Sequence, residues 1–384
     1  MFQFSTLPPL SLYIHFPWCV QKCPYCDFNS HALGDGVPEQ AYVEALLRDL
    51  DQDLPLVWGR KVNSIFMGGG TPSLFSAQAL EALLSGIRAR VALHSNLEVT
   101  LEANPGTVEQ ERFSAYRAIG INRLSIGVQS LSDTHLQSLG RIHNSAEARR
   151  AVEAAGRAGF ENLNLDLMYG LPQQSVQQAL QDLQYAIDLA PTHLSWYQLT
   201  LEPNTRFYHD PPSLPGDDVL WQMQESGVAL LQHNNFEQYE VSAYAREGKL
   251  CRHNLNYWTF GDYLGIGAGA HAKISMGAAQ SIKRLSKSRA PKQYMDNAGT
   301  PECVTQRQLA SEDVVLEFMM NALRLRQGFS IETFTAHTGL DFSLCEAVLS
   351  QAQSRGLIET KEQHIRTTET GQRFLNDLLQ MFMP

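Results

Sequence analysis

Cys19-Val20-Gln21-Lys22-Cys23-Pro24-Tyr25-Cys26 sets three thiols at a C-x3-C-x2-C spacing, close enough to gather around one small inorganic cluster. Three is the informative number. A cube of four irons and four sulfides normally takes four thiolates, so three leave one iron with a position open to a small chelating molecule. On spacing alone two other readings stand: a zinc knuckle, which wants a fourth Cys or His at similar range, and a redox dithiol made by Cys23 and Cys26. The remaining cysteines, Cys251, Cys303 and Cys345, are scattered, so the six form no disulfide framework.

Outward from this loop, short apolar runs alternate with helical patterns, the rhythm of a parallel sheet wrapped by helices. Strands are expected at residues 10–16, 62–67, 97–101, 123–128, 163–168 and 194–199. Tyr42, Val43, Leu46, Leu47 and Leu50, then Leu80, Leu83, Leu84 and Ile87, fall at helical spacing between them. Six such units make an α/β fold, an incomplete (β/α)6 barrel, in which sites lie at the C-terminal ends of the strands. After a helix at 217–231, a strand is expected at 236–243. A glycine-rich run follows at 261–269, then a Lys-, Ser- and Pro-containing stretch, 277–308, that reads as an exposed connection. Helices at 330–337 and 343–355 with a hairpin at 357–367 resemble a winged-helix-like α+β domain. The expected division is 1–240 for the barrel, 241–310 for a connecting region and 311–384 for the C-terminal domain.

The chain has 384 residues, 43% of them hydrophobic and 18% charged, enough for one large domain and a smaller one. A formal net charge of -10 argues against a general nucleic-acid binder. That weighs against a DNA-binding regulator built on the winged-helix-like region. No apolar run reaches the roughly 20 residues of a membrane span, and the N-terminus lacks a basic segment followed by a long apolar one. The expectation is a cytoplasmic protein without a transmembrane segment, able to meet partners at the inner membrane surface.

Further words stand in order: Tyr13-Ile14-His15-Phe16-Pro17-Trp18-Cys19, Gly68-Gly69-Gly70-Thr71-Pro72-Ser73, Glu102-Ala103-Asn104-Pro105, Gly127-Val128-Gln129-Ser130, Leu139-Gly140-Arg141 and Asp166-Leu167-Met168-Tyr169-Gly170-Leu171-Pro172. Over nearly the whole chain they resemble the radical S-adenosylmethionine (SAM) family. The branch they resemble holds the oxygen-independent coproporphyrinogen III dehydrogenase and its shorter haem-chaperone relative. The resemblance implies a [4Fe-4S] cluster on Cys19, Cys23 and Cys26 with SAM on its open iron. It places Gly69, Gly70 and Thr71 at the methionine end of SAM, and Tyr13 and Tyr25 beside the loop or against adenine. Glu102, Gln129, Arg141 and Asp166 become binding residues, with Arg141 offering a fork to the carboxylate. Read as residues alone, the glycines are equally a strand-to-helix turn, and the polar side chains buried groups bonded to loop amides.

Arg252-His253-Asn254-Leu255-Asn256-Tyr257 contains His-Asn-x-x-Tyr, which resembles the haem-chaperone branch and makes His253 a haem ligand. A lone histidine in a polar loop is otherwise seldom a ligand. Cys251, two residues away, and His271 are weaker candidates. Two departures count against the dehydrogenase. Phe28, taken here as a cofactor-contacting residue, stands where that enzyme's loop has a further cysteine, and little sequence precedes Tyr13 to form its longer N-terminal arm. The preferred expectation is a carrier that delivers haem to haem-requiring proteins such as respiratory enzymes, with no catalytic residue assigned. The alternative is an authentic oxidative decarboxylase of coproporphyrinogen III.

Overall fold

The computed structural model describes residues 2–34, 36–107 and 110–383. Six parallel strands curve around a shared interior: β1 Leu10–Phe16, β2 Lys61–Gly69, β3 Ala92–Ala103, β4 Arg123–Gln129, β5 Leu163–Tyr169 and β6 His193–Gln198. Each is paired with the next. Helices α1 Glu39–Asp53, α2 Ala77–Arg88, α3 Gln110–Ala118, α4 Asp133–Ser138, α5 Ser145–Arg157 and α6 Val176–Asp188 fill the crossovers. All six expected strands are present. The partial barrel forms because alternate residues serve opposite faces: Leu10, Leu12, Ile14 and Phe16 pack outward and are at most 2% exposed. Their neighbours Ser11 and Tyr13 face inward, where Ser11 meets Ser64 at 2.8 Å and Tyr13 stacks on Phe66 at 6.3 Å. Capping boxes Asn144/Glu147 and Ser175/Gln178 start α5 and α6.

The chain continues through α7 Arg206–His209 and α8 Asp217–His233. β7 Ala243–Ala245 then pairs antiparallel with β6. After α9 Arg252–Trp258, β8 Asp262–Ile266 crosses to the far edge and runs parallel to β1. β9 His271–Met276, β10 Ser281–Lys287, α10 Pro291–Asn297 and β11 Val304–Gln308 extend that edge as an antiparallel meander. Among the described residues the sheet holds twelve strands.

The glycine-rich run, unassigned in sequence, contains strand β8. Two expectations are corrected here: the strand expected at 236–243 shrinks to residues 237–238 and 243–245, and the stretch 277–308 is largely sheet and helix. Buried charge pairs explain the last. Lys287 donates to Asp49 at 2.5 Å and Asp53 at 2.7 Å, so a lysine that suggests a solvated connection lies inside.

The C-terminal unit matches the expected winged-helix-like pattern: α11 Ser311–Ala322, α12 Ile331–Thr338, α13 Ser343–Ser354, and a hairpin of β12 Ile358–Lys361 and β13 His364–Thr367. Its core of Phe318, Phe329 and Phe334 also takes in Phe260 and Ile282 from the barrel side.

Candidate functional site

The cysteine loop leaves β1 at the C-terminal end of the barrel and is closed on itself. Trp18–Cys19 pairs with His31–Ala32, the Cys26 amide donates to the Cys23 carbonyl at 3.2 Å, and Lys22 Nζ donates to the Phe28 carbonyl at 3.1 Å. The glycine turn stitches to the base of this loop, with Gly70 N donating to Phe16 O and Thr71 N to Trp18 O, both at 2.7 Å. Glycine is required there. Gly69 sits at φ 108° and a Cβ would lie 2.4 Å from the His15 ring, while one on Gly70 would lie 2.5 Å from the Trp18 carbonyl.

Above the strand ends lies a cavity of about 460 Å³. Cys19, Cys23, Cys26, Tyr25 and Phe28 line it on the loop side, and Gly69, Gly70, Thr71, Glu102, Gln129, Arg141 and Asp166 are among the residues that line it from the strand ends. The Glu102 carboxylate accepts from Gly69 N at 3.1 Å, and burial, then the neighbouring Asp166 charge, push it up to about 8. Burial also raises Asp166, against hydrogen bonds from Asn164 at 2.8 Å and Ser125 at 3.1 Å. Gln129 ends β4 at φ 69°, an uncommon conformation for a non-glycine residue, and Tyr197 donates to its Oε1 at 2.9 Å. Arg141 binds the Gly127 carbonyl at 2.8 Å and the Cys23 sulfur at 3.4 Å, while its Nε is buried without a partner.

Two expected residues are not brought to this cavity. Tyr13 lies beneath it, its hydroxyl 3.0 Å from His15 Nδ1. His253, expected in a polar loop, belongs to α9 and is 1% exposed. The Glu98 carboxylate accepts from the amides of Arg252 at 3.3 Å and His253 at 3.1 Å, which seats the start of α9 against β3. The imidazole meets Ser64 Oγ at 3.0 Å and Tyr257 OH at 2.9 Å and stacks on Phe66. Burial, then Arg123, lowers its pKa to about 3, so the ring is neutral. Cys251 is fully buried. The sequence reading passed over Ser195 and Tyr197, which line the cavity from β6. Their signal was the inward alternation of polar residues His193, Ser195 and Tyr197 against apolar Leu194 and Trp196.

The donor set fits the cofactors that the cysteine loop implies. Three free, half-buried thiols face one cavity, beside a glycine cradle that any Cβ would fill and an arginine with an unused donor. Barrel, loop and glycine turn define a radical SAM protein, and the model of the radical SAM superfamily matches residues 13–186. That of the HemN C-terminal domain matches residues 309–374. The "Heme chaperone HemW" of Escherichia coli K12 is 51% identical over 377 residues, covering 98% of this chain and 99% of the relative. That of Haemophilus influenzae is 50% identical over 381 residues, 98% of both chains. The chain belongs to the HemW haem chaperone family. Coproporphyrinogen III oxidase (HemN) from E. coli, described as a radical SAM enzyme, shares the fold at a TM-score of 0.82 and 22% identity, covering 98% of this chain and 90% of that one.

Proposed function

We propose that this protein binds a [4Fe-4S] cluster, SAM and haem, and delivers the haem to haem-requiring proteins, respiratory enzymes at the membrane among them. The observation that carries the cofactor half is the single cavity in which Cys19, Cys23 and Cys26 face Glu102, Gln129, Arg141 and Asp166. When bound, a cluster with one open iron offers a chelation site for the amino and carboxylate groups of SAM and a source of one electron. The protein's part is to bind and orient. Glu102 and Asp166 accept from the amine and ribose hydroxyls, Arg141 holds the carboxylate through its unused donor, and Gln129, fixed by Tyr197, closes the remaining side. Arg141→Ala and Asp166→Ala are each expected to weaken SAM binding by about ten- to a hundredfold, as for a lost charge-assisted hydrogen bond of about 1.5–3 kcal/mol. Calorimetry on the reconstituted protein reads it, and wild-type affinity in both variants would put SAM elsewhere.

The haem half rests on kinship with the chaperones and on His253. Its neutral ring has one acceptor nitrogen, and both nitrogens are engaged by Ser64 and Tyr257, so iron ligation displaces one of these hydroxyls. His253→Ala is expected to change the Soret band of added haem and reduce its retention on desalting. Tyr257→Phe, which removes a competitor worth about 1 kcal/mol, is expected to speed haem association several-fold in stopped flow. Identical haem spectra for wild type and His253→Ala would remove His253 from the reading. Catalytic turnover of coproporphyrinogen III by protein given SAM and a low-potential reductant would replace the carrier with a decarboxylase. Among the described residues no helix is long and apolar enough to cross a membrane.

A further inference from the structure

On the far side of Tyr257 from His253, where the barrel edge meets α11, lies a second, smaller cavity of about 160 Å³. It is far below the ~300–1,000 Å³ of a pocket for a whole drug-sized ligand. At about 30 Å³ per water, it holds a few waters or one short arm of a larger molecule. Its lining includes Tyr257, Trp258, Tyr263, Lys273 and Arg284, and no carboxylate. Both cations are paired: Lys273 with Asp262 and the Phe260 carbonyl, Arg284 with Glu317 and the Tyr263 hydroxyl.

One donor lining this cavity has no acceptor: the Trp258 Nε1–H is buried and unpartnered. Arg324, outside the lining, covers the Trp258 ring at 4.4 Å and is itself paired with Glu240 at 3.0 Å. Buried donors normally find acceptors, and leaving one unmet costs about 1–3 kcal/mol. A cavity edged by tryptophan, lysine and arginine donors, with the indole donor idle, suits an oxygen acceptor carrying negative charge.

We infer that this seam binds a carboxylate, and, resting on the haem reading above, that the carboxylate is a haem propionate. The placement suits it. The His253 and Tyr257 rings are 4.8 Å apart, those of Tyr257 and Tyr263 4.5 Å, and the Arg284 guanidinium is 5.7 Å beyond. One aromatic relay therefore separates the candidate iron ligand from the cations. Propionate in the seam and iron at His253 together would fix the orientation of the macrocycle, with Trp258 as the positioning residue.

The test compares haem with haem dimethyl ester, whose propionates carry no charge, on full-length wild type and Trp258→Phe, a change that keeps a ring and deletes the donor. Wild type is expected to bind haem about tenfold more tightly than the ester, and Trp258→Phe to lose that preference while keeping the wild-type Soret maximum. A second arm titrates sodium acetate without haem and follows the Trp258 indole N–H resonance, assigned by its absence in Trp258→Phe. Equal affinities for haem and ester with an acetate-dependent indole shift would assign the seam to a free carboxylate. Equal affinities and a silent indole would overturn the site. If wild type binds no haem at all, the haem reading fails and the acetate arm still decides whether the seam takes a carboxylate.

Discussion

Serine at Cys19, Cys23 or Cys26 is expected to strip most of the iron from the anaerobically reconstituted protein, while serine at Cys303 or Cys345 leaves iron content unchanged. The three loop thiols are half-buried and line the cavity, whereas Cys303 and Cys345 are at most 1% exposed and lie elsewhere in the fold. A cluster held by only three thiolates has none to spare, and a serine hydroxyl is a poor replacement for a soft thiolate. The loop itself should persist, because its closure rests on the Trp18–Cys19 pairing with His31–Ala32 and on the Asn29 carbonyl, which His15 Nε2 meets at 2.9 Å. Iron and sulfide analysis with the visible absorption of the cluster measures the effect. Unchanged iron in all three loop variants would return the loop to the zinc-knuckle and dithiol readings. Loss of SAM binding in the same variants would tie that site to the cluster and not to the barrel alone.

The barrel was legible because its signals are local. Apart from a register shift in β2, the six strands carry their outward apolar residues at period two, so β1 was placed at its observed limits and β6 within one residue. The cavity was legible for the same reason: twelve of the fourteen residues picked out, all but Tyr13 and His253, line it. What failed depended on distant partners. β8 pairs with β1 across some 250 residues, and the glycines around it hid a strand that is followed by Gly267 and Gly269, which pack against His15 of β1 and Asn29 of the cluster loop. His253 read as a loop residue because nothing nearby announces Glu98, the buried carboxylate more than 150 positions away on which α9 is seated. Alternation on a strand shows in a short window. A buried ion pair between remote segments does not.

Lys287→Met is expected to destabilise the protein by about 3–5 kcal/mol, the cost of removing one partner from a buried charge cluster. Lys287 looks in sequence like part of a solvated basic stretch, yet its ammonium is fully buried between Asp49 and Asp53 of α1. Tyr294 OH at 2.8 Å and Gly267 N at 3.1 Å complete the cage around Asp49. Methionine fills similar space without charge and leaves two carboxylates facing a dry interior. In the wild type, burial, countered in part by Lys287, already raises Asp53 to about 6. Without the lysine the Asp53 carboxyl is pushed further upward, so the folded variant takes up a proton at pH values where the unfolded chain stays ionised. Its stability deficit is therefore largest near about pH 8 and shrinks on acidification towards about pH 5. Chemical denaturation across that range measures both size and sign. Adding Asp49→Asn and Asp53→Asn should recover much of the loss, since the penalty comes from stranded charge and not from missing packing. A single variant as stable as wild type, or a deficit independent of pH, would mean that the cluster is hydrated and that α1 is held to the β8–β11 edge by apolar contacts alone.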